Sequence, residues 1–314
     1  MKKIQLYITI GIISLMTLSA SAQTPNDALM MNKGQICIAL PYAQESWTNY
    51  WEADLKRSNA NLGKVTTKSI MPQFALGLFD NLNLLGGVNY ISTAASQGTL
   101  RGHSGLQDAS ILLKYKPLSI KIDEHELAGF IVAGFTTPVS NYYPDYMPLA
   151  IGAGTTNGSI RGILNFKTKS GIYATLNGGY TSRSNIKLDR SFYYNSTSKG
   201  TSERGITSNE MKMPTIFDGG AAFGFTNSRT KIEMTATVLN TIGGTDMRRN
   251  DMPLPSVGMD NMRVGIFAQY FPEILRGGGV IAFSNYTLSG RNVGQATTIG
   301  GGITYRFDAW KKAE

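Results

Sequence analysis

From about residue 33 to residue 307 the chain consists of runs in which apolar and polar or small side chains alternate one by one. Alternation with period two predicts β-strands that present one face to an apolar medium and the other to a polar one. In the last run, Ile299, Gly301, Ile303, Tyr305 and Phe307 share one face, and Thr298, Gly300, Gly302, Thr304 and Arg306 share the other. In an earlier run, Ile232, Met234, Ala236 and Val238 oppose Lys231, Glu233, Thr235 and Thr237. Charges of both signs on one face of a long strand point that face at a wet or polar interior. The pattern predicts twelve strands, near 33–42, 66–79, 82–93, 105–116, 125–137, 159–168, 171–181, 214–226, 230–241, 261–271, 277–288 and 297–307. The runs at 125–137 and 277–288 are apolar on both faces in places, as expected of strands that pack against something inside.

The connections sort by length. Asp80-Asn81, Ile120 to Glu124, Lys169-Ser170, Asn227 to Arg229 and Pro272 to Arg276 are short and polar or turn-prone. Between them come the long connections Ala43 to Val65, Ala94 to Ser104, Pro138 to Gly158, Ser182 to Pro214, Ile242 to Asp260 and Ser289 to Ala296. Strict alternation of short and long predicts an all-β fold, an antiparallel transmembrane β-barrel of about twelve strands with both termini in the periplasm. Tyr42, Trp47 and Trp51 at one end, and Tyr270, Tyr305 and Phe307 at the other, are the expected interface anchors toward outer-membrane lipid and lipopolysaccharide.

Residues 1–22 read as a secretory leader: Lys2 and Lys3, an apolar stretch from Ile4 to Leu18, then Ala20-Ser21-Ala22 before Gln23. The expected division is a leader over 1–22, a barrel over 23–307 and a short charged tail over 308–314. This places the protein in a bacterial outer membrane. Gly stands at 35, against roughly 22 at average usage, as close-packed strand walls require. Cys37 is the single cysteine, which excludes a disulfide framework and a Cys-based zinc site. The net charge is +9, two units of which, Lys2 and Lys3, belong to the leader. Basic residues form no long run, so no nucleic-acid partner is expected.

Several short motifs resemble a family of bacterial outer-membrane proteins named after the meta-pathway of phenol degradation. Gly102 to Asp108 followed by Lys114-Tyr115 is similar to that family's Ser-Gly-Leu-Gly-Asp strand start and Lys-Tyr end, with Gln107 replacing a Gly. Phe135-Thr136-Thr137-Pro138 resembles its Leu-Pro-Thr-Gly corner with the order inverted. Asn177 to Tyr180, and Ser289 to Asn292 through Phe307, resemble its last strands. The resemblance implies a porin-like transporter of hydrophobic or aromatic compounds and names no substrate. Tyr305-Arg306-Phe307 also resembles the C-terminal strand read by the barrel-insertion machinery, here followed by a short tail.

No catalytic residue, cofactor or metal site is expected. His103 and Ser104 are neighbours on a strand start and so point to opposite faces, and His125 lies at the other end. Asp145, Asp246, Asp251 and Asp260 lack calcium-loop spacing. The functional candidates are the inward charges Arg161, Lys167, Lys231, Arg263 and Arg306, with Asp108, Asp218 and Glu233. Two readings compete: they line a loop-gated path for passive uptake of a small solute, or they pair and plug the lumen. A non-conducting scaffold for a secretion or surface-anchoring assembly is the alternative class, and an outer-membrane lipid hydrolase is a third.

Overall fold

The computed structural model describes residues 24–191, 193–196, 203–206, 208–247 and 255–309; over 193–196 and 203–206 only the backbone is described. The expected leader over 1–22 and the end of the expected tail lie outside these residues. Twelve wall strands run in chain order: β1 Gln35–Trp47, β2 Val65–Ile70 with Gln73–Phe79, β3 Leu82–Ala95, β4 Ser104–Ile122, β5 His125–Pro138, β6 Asn157–Lys167, β7 Ile172–Arg183, β8 Thr215–Thr226, β9 Thr230–Ile242, β10 Asp260–Tyr270, β11 Gly278–Arg291 and β12 Thr297–Asp308. Each pairs antiparallel with its sequence neighbours, and β1 closes the ring on β12 from Gln35↔Asp308 to Ser46↔Thr297. Closure leaves no free edge, which a wall in lipid requires.

The outer face is apolar. Leu176 is 60% exposed, Met234 66% and Ile299 64%. Exposed aromatics mark both rims: Phe79, Tyr115, Phe166, Phe225, Tyr270, Tyr305 and Phe307 toward the short turns, and Tyr42, Tyr90, Phe135, Tyr180, Phe217 and Tyr286 toward the long loops. An apolar band between two aromatic girdles is the surface that a bilayer covers.

Four details depart from the sequence expectation. β4 runs on to Ile122, through Pro117, where the expected strand stopped at 116. β3 begins opposite Tyr115, so beyond that point β4 is an edge, and an edge tolerates a proline that cannot donate. β2 is interrupted at Met71-Pro72, opposite Pro41 of β1; Met71 N donates to Pro41 O and Val88 N to Pro72 O, which keeps the wall bonded there. β11 extends to Arg291, so the last long-side connection, 292–296, is shorter than the short-side link 271–277 with its 3-10 turn Glu273–Leu275. The alternation of lengths therefore fails at that one pair. Asp308, assigned to the tail, pairs with Gln35 as the last residue of β12.

Candidate functional site

Residues 24–34 precede the wall and turn into the barrel. Lys33 N donates to Asp80 Oδ1 and Gly34 N to Gly77 O, so the segment enters across the β2–β3 turn. Gly77 is needed there, because a Cβ would meet the Asn32 carbonyl oxygen at 2.0 Å. Inside, Ala28 and Met30 pack on Ala128, Phe130, Val132 and Ile163, and Met31 packs with Cys37, Ala75 and Leu85. This accounts for the doubly apolar β5: its inner face meets chain, not water. The segment is pinned by Lys114, whose ammonium donates to Thr24 O (3.0 Å), Asp27 O (2.6 Å) and Asp27 Oδ1 (2.8 Å). Lys114 is fully buried and these bonds use all three of its donors.

Beside the segment lies a chamber of about 840 Å³, reaching from the turns at Lys169–Gly171 and Thr226–Ser228 up to Asn177, Thr237 and Asn285. Cross-strand register builds it in layers. The lower layer runs Lys167↔Tyr173↔Gly224↔Glu233↔Phe267↔Phe283↔Gly300. Gly300 leaves room for Phe283, whose ring end lies 2.3 Å from where a Cβ would stand. The next layer runs Asn165↔Thr175↔Ala222↔Thr235↔Gly265↔Asn285↔Thr298 and is mostly polar. Lys231 Nζ lies 3.1 Å from Glu233 Oε1 and 5.1 Å over the Phe267 ring, and Tyr173 OH donates to Glu233 Oε2 at 2.6 Å. A wall of cations, hydrogen-bonding groups and aromatic faces is chemically a binding surface for a small organic molecule.

The expected inward charges fall into different places. Lys167, Lys231 and Glu233 line the chamber. Arg161 pairs with Asp218 and donates to Asn177 Oδ1 (2.7 Å) at the chamber's upper end. Arg263 pairs with Glu45 at 3.0 Å, and Thr298 Oγ1 donates to the same carboxylate oxygen. Asp108 accepts from Tyr142 OH (2.6 Å) and so holds the 139–156 loop; burial, followed by the hydrogen bond to Asp108 and then its charge, pushes the Tyr142 hydroxyl up. Arg306 turns inward at the short-turn end but stacks on Phe271 outside the chamber. Asp27, Lys114, Lys116, Glu126 and Lys169 are further charges in or beside the chamber. Sequence reading missed Asp27, which lies within the 23–307 span assigned to the barrel.

The long loops form two tied groups. Thr93 Oγ1 donates to Leu149 O (2.7 Å), Arg190 pairs with Asp145, and Ile186, Leu188, Met211 and Met213 cluster with Ala153. On the other side, the Asn292 side chain bonds Ala53 N, Met247 N, Asp246 and Gly258 O, while Arg291 bridges Asp54 and Asp246 at 2.6 Å each. Trp51 belongs to this second group. It is only 8% exposed and packs by Gly290, so it is no lipid anchor. Trp47 packs where a side chain on Gly294 would stand, beside Tyr50, and likewise serves loop packing. Tyr42, Tyr270, Tyr305 and Phe307 face outward. His103 lies edge-on to Tyr146 at 4.3 Å, and His125 stacks on Phe166, far from it. Asp260 accepts from Thr241 N, and Asp251 lies outside the described residues.

Closed wall, apolar exterior and polar interior define an outer-membrane β-barrel. The fold is shared with the COG4313 outer membrane channel from Pseudomonas putida F1, at 12% identity and TM-score 0.68, over 91% of this chain and all of that one. The translocator domain of autotransporter NalP from Neisseria meningitidis (12% identity, TM-score 0.44, 88% and 90% covered) and the TodX monoaromatic hydrocarbon channel deltaS2S3 mutant (12%, 0.39, 89% and 91%) are more distant. No family model and no curated protein matches the chain, so the resemblance to the phenol meta-pathway family rests on its short motifs alone.

Proposed function

We propose that this protein is a passive outer-membrane channel that takes up small, hydrophobic or aromatic solutes through a loop-gated lumen. The observation that carries this reading is the chamber: a cavity of about 840 Å³ lined by Phe130, Phe267, Phe283 and a polar ladder, inside a wall whose outside is apolar. The fold neighbour from Pseudomonas putida is an outer membrane channel, which supports the same reading. In this account the long loops receive the solute, Arg161 and Arg263 border the upper passage, and residues 24–34 close the periplasmic exit. The leader would export the chain, the insertion machinery would read Tyr305 to Phe307, and lipid and lipopolysaccharide would cover the wall.

The docked segment also favours a second reading, a non-conducting scaffold, because a lumen filled by chain passes nothing while the segment stays. Single-channel recording in planar bilayers separates the two. Discrete openings whose ion selectivity changes with Arg263→Ala or Arg161→Ala support the channel. Silence from protein shown to be folded by heat-modifiable migration, in the parent and in a variant lacking residues 24–31, refutes it in favour of the scaffold, for which partner pull-down is the next measurement.

A further inference from the structure

We infer that the chamber is a binding site for a small aromatic carboxylate, a solute class that deepens the channel reading and rests on it for the route of entry. The charges are unevenly matched. Lys231 faces Glu233, Lys169 faces Glu124, and Lys114 faces Asp27. Lys116 and Lys167 also line the chamber, yet neither has an ion-pair partner among the described residues. The one carboxylate left beside them is Glu126, the register partner of Lys167, and it accepts from Ser119 Oγ at 3.0 Å. Two lysines against one carboxylate leave one positive charge to match, which fits a monoanion better than a dianion or a cation.

The opposite wall supplies the other half of the site. Phe267 and Phe283 are register partners on β10 and β11 and both line the chamber. A flat ring gains from such faces by burial and by offset or edge contact. In the next layer Asn165, Thr175 and Thr235 also line the chamber and are able to hold a ring substituent. A neutral hydrocarbon would leave the lysine charges unmatched, and acetate would leave the aromatic wall uncovered. The volume is within the range of sites for small organic ligands.

The test is titration calorimetry on folded protein in detergent micelles, with benzoate, benzyl alcohol and acetate, each corrected by titration into empty micelles. Benzoate is expected to bind saturably, and benzyl alcohol and acetate at least about tenfold more weakly. The Lys116→Gln/Lys167→Gln variant is expected to lose the preference for benzoate over benzyl alcohol, while Lys56→Gln, in an outer loop, keeps it. Equal binding of benzoate and either analogue, no saturable benzoate binding, or an undiminished preference in the double variant overturns the inference. Bilayer recording on the same preparation keeps the two ideas apart. Current without benzoate binding removes the ligand class and leaves the channel; binding without current, in the parent and in the variant lacking residues 24–31, supports the site and removes the channel.

Discussion

Replacing Asp27 by Ala should undock the N-terminal segment and open the lumen. In the parent, the Lys114 ammonium is fully buried and makes three bonds, two to carbonyls and one to the Asp27 carboxylate at 2.8 Å. The substitution removes the only charge-compensating partner of Lys114 among the described residues. Breaking a buried pair from one side costs about 3–5 kcal/mol, because the remaining charge stays desolvated. The barrel avoids that cost by releasing residues 24–31, after which water reaches Lys114. The penalty thus falls on docking and not on the wall, and the docked-to-released ratio should drop by about a hundredfold or more. Two readouts follow. Bilayer recordings should show more frequent or larger openings. Cys37, the single cysteine, is buried against Met31 and should react with a maleimide far faster. The decisive control is Asp27→Ala with Lys114→Met, in which neither charge is left buried. Docking should largely return, with slow labelling and parental conductance. A folded Asp27→Ala protein that labels and conducts like the parent would refute the reasoning, as would a double variant as open as the single one.

Gly77→Ala should release the same segment by a steric route, since its Cβ would meet Asn32 O at 2.0 Å and Asn32 C at 2.7 Å. Overpacking of this kind costs about 1–3 kcal/mol, and Cys37 labelling of a normally folded barrel measures it. Leu176→Lys should destabilise the barrel by about 2–4 kcal/mol in urea refolding into liposomes, because Leu176 faces lipid near mid-strand, whereas Ala222→Lys, which points into the chamber, should cost well under half as much. Asn292→Gly keeps the left-handed backbone (φ 53°) but removes four side-chain bonds tying three loops together. At roughly 1 kcal/mol each at most, the loss should appear as faster protease cleavage within 48–64, with the wall unaffected.

The wall was legible because its information is local. A lipid-facing residue must be apolar wherever its partner strand lies, so period-two alternation marks each strand without knowledge of the neighbours. Boundaries slipped where long-range pairing decides them. Pro117 reads as a strand end until one knows that β3 starts opposite Tyr115 and leaves β4 an edge there. Trp51 reads as an interface anchor until Arg291 and Asn292 are seen to draw its loop inward. The segment at 24–34 was the larger omission, and its signature was present in two halves. The inner face of β5 carried Ala128, Phe130 and Val132 with nothing apolar assigned to meet them, and Ala28 to Met31 formed an apolar run outside any strand. Neither half is decisive alone, since a lone apolar run near a leader is common and a doubly apolar strand has many explanations. Together they form an equation with one solution, because a barrel interior supplies no lipid and the inner face of β5 must be covered by chain. Lys114 fits the same logic. A lysine whose neighbours on the inner face are Leu112 and Phe130 needs a carboxylate brought to it, and Asp27 precedes the run that covers them.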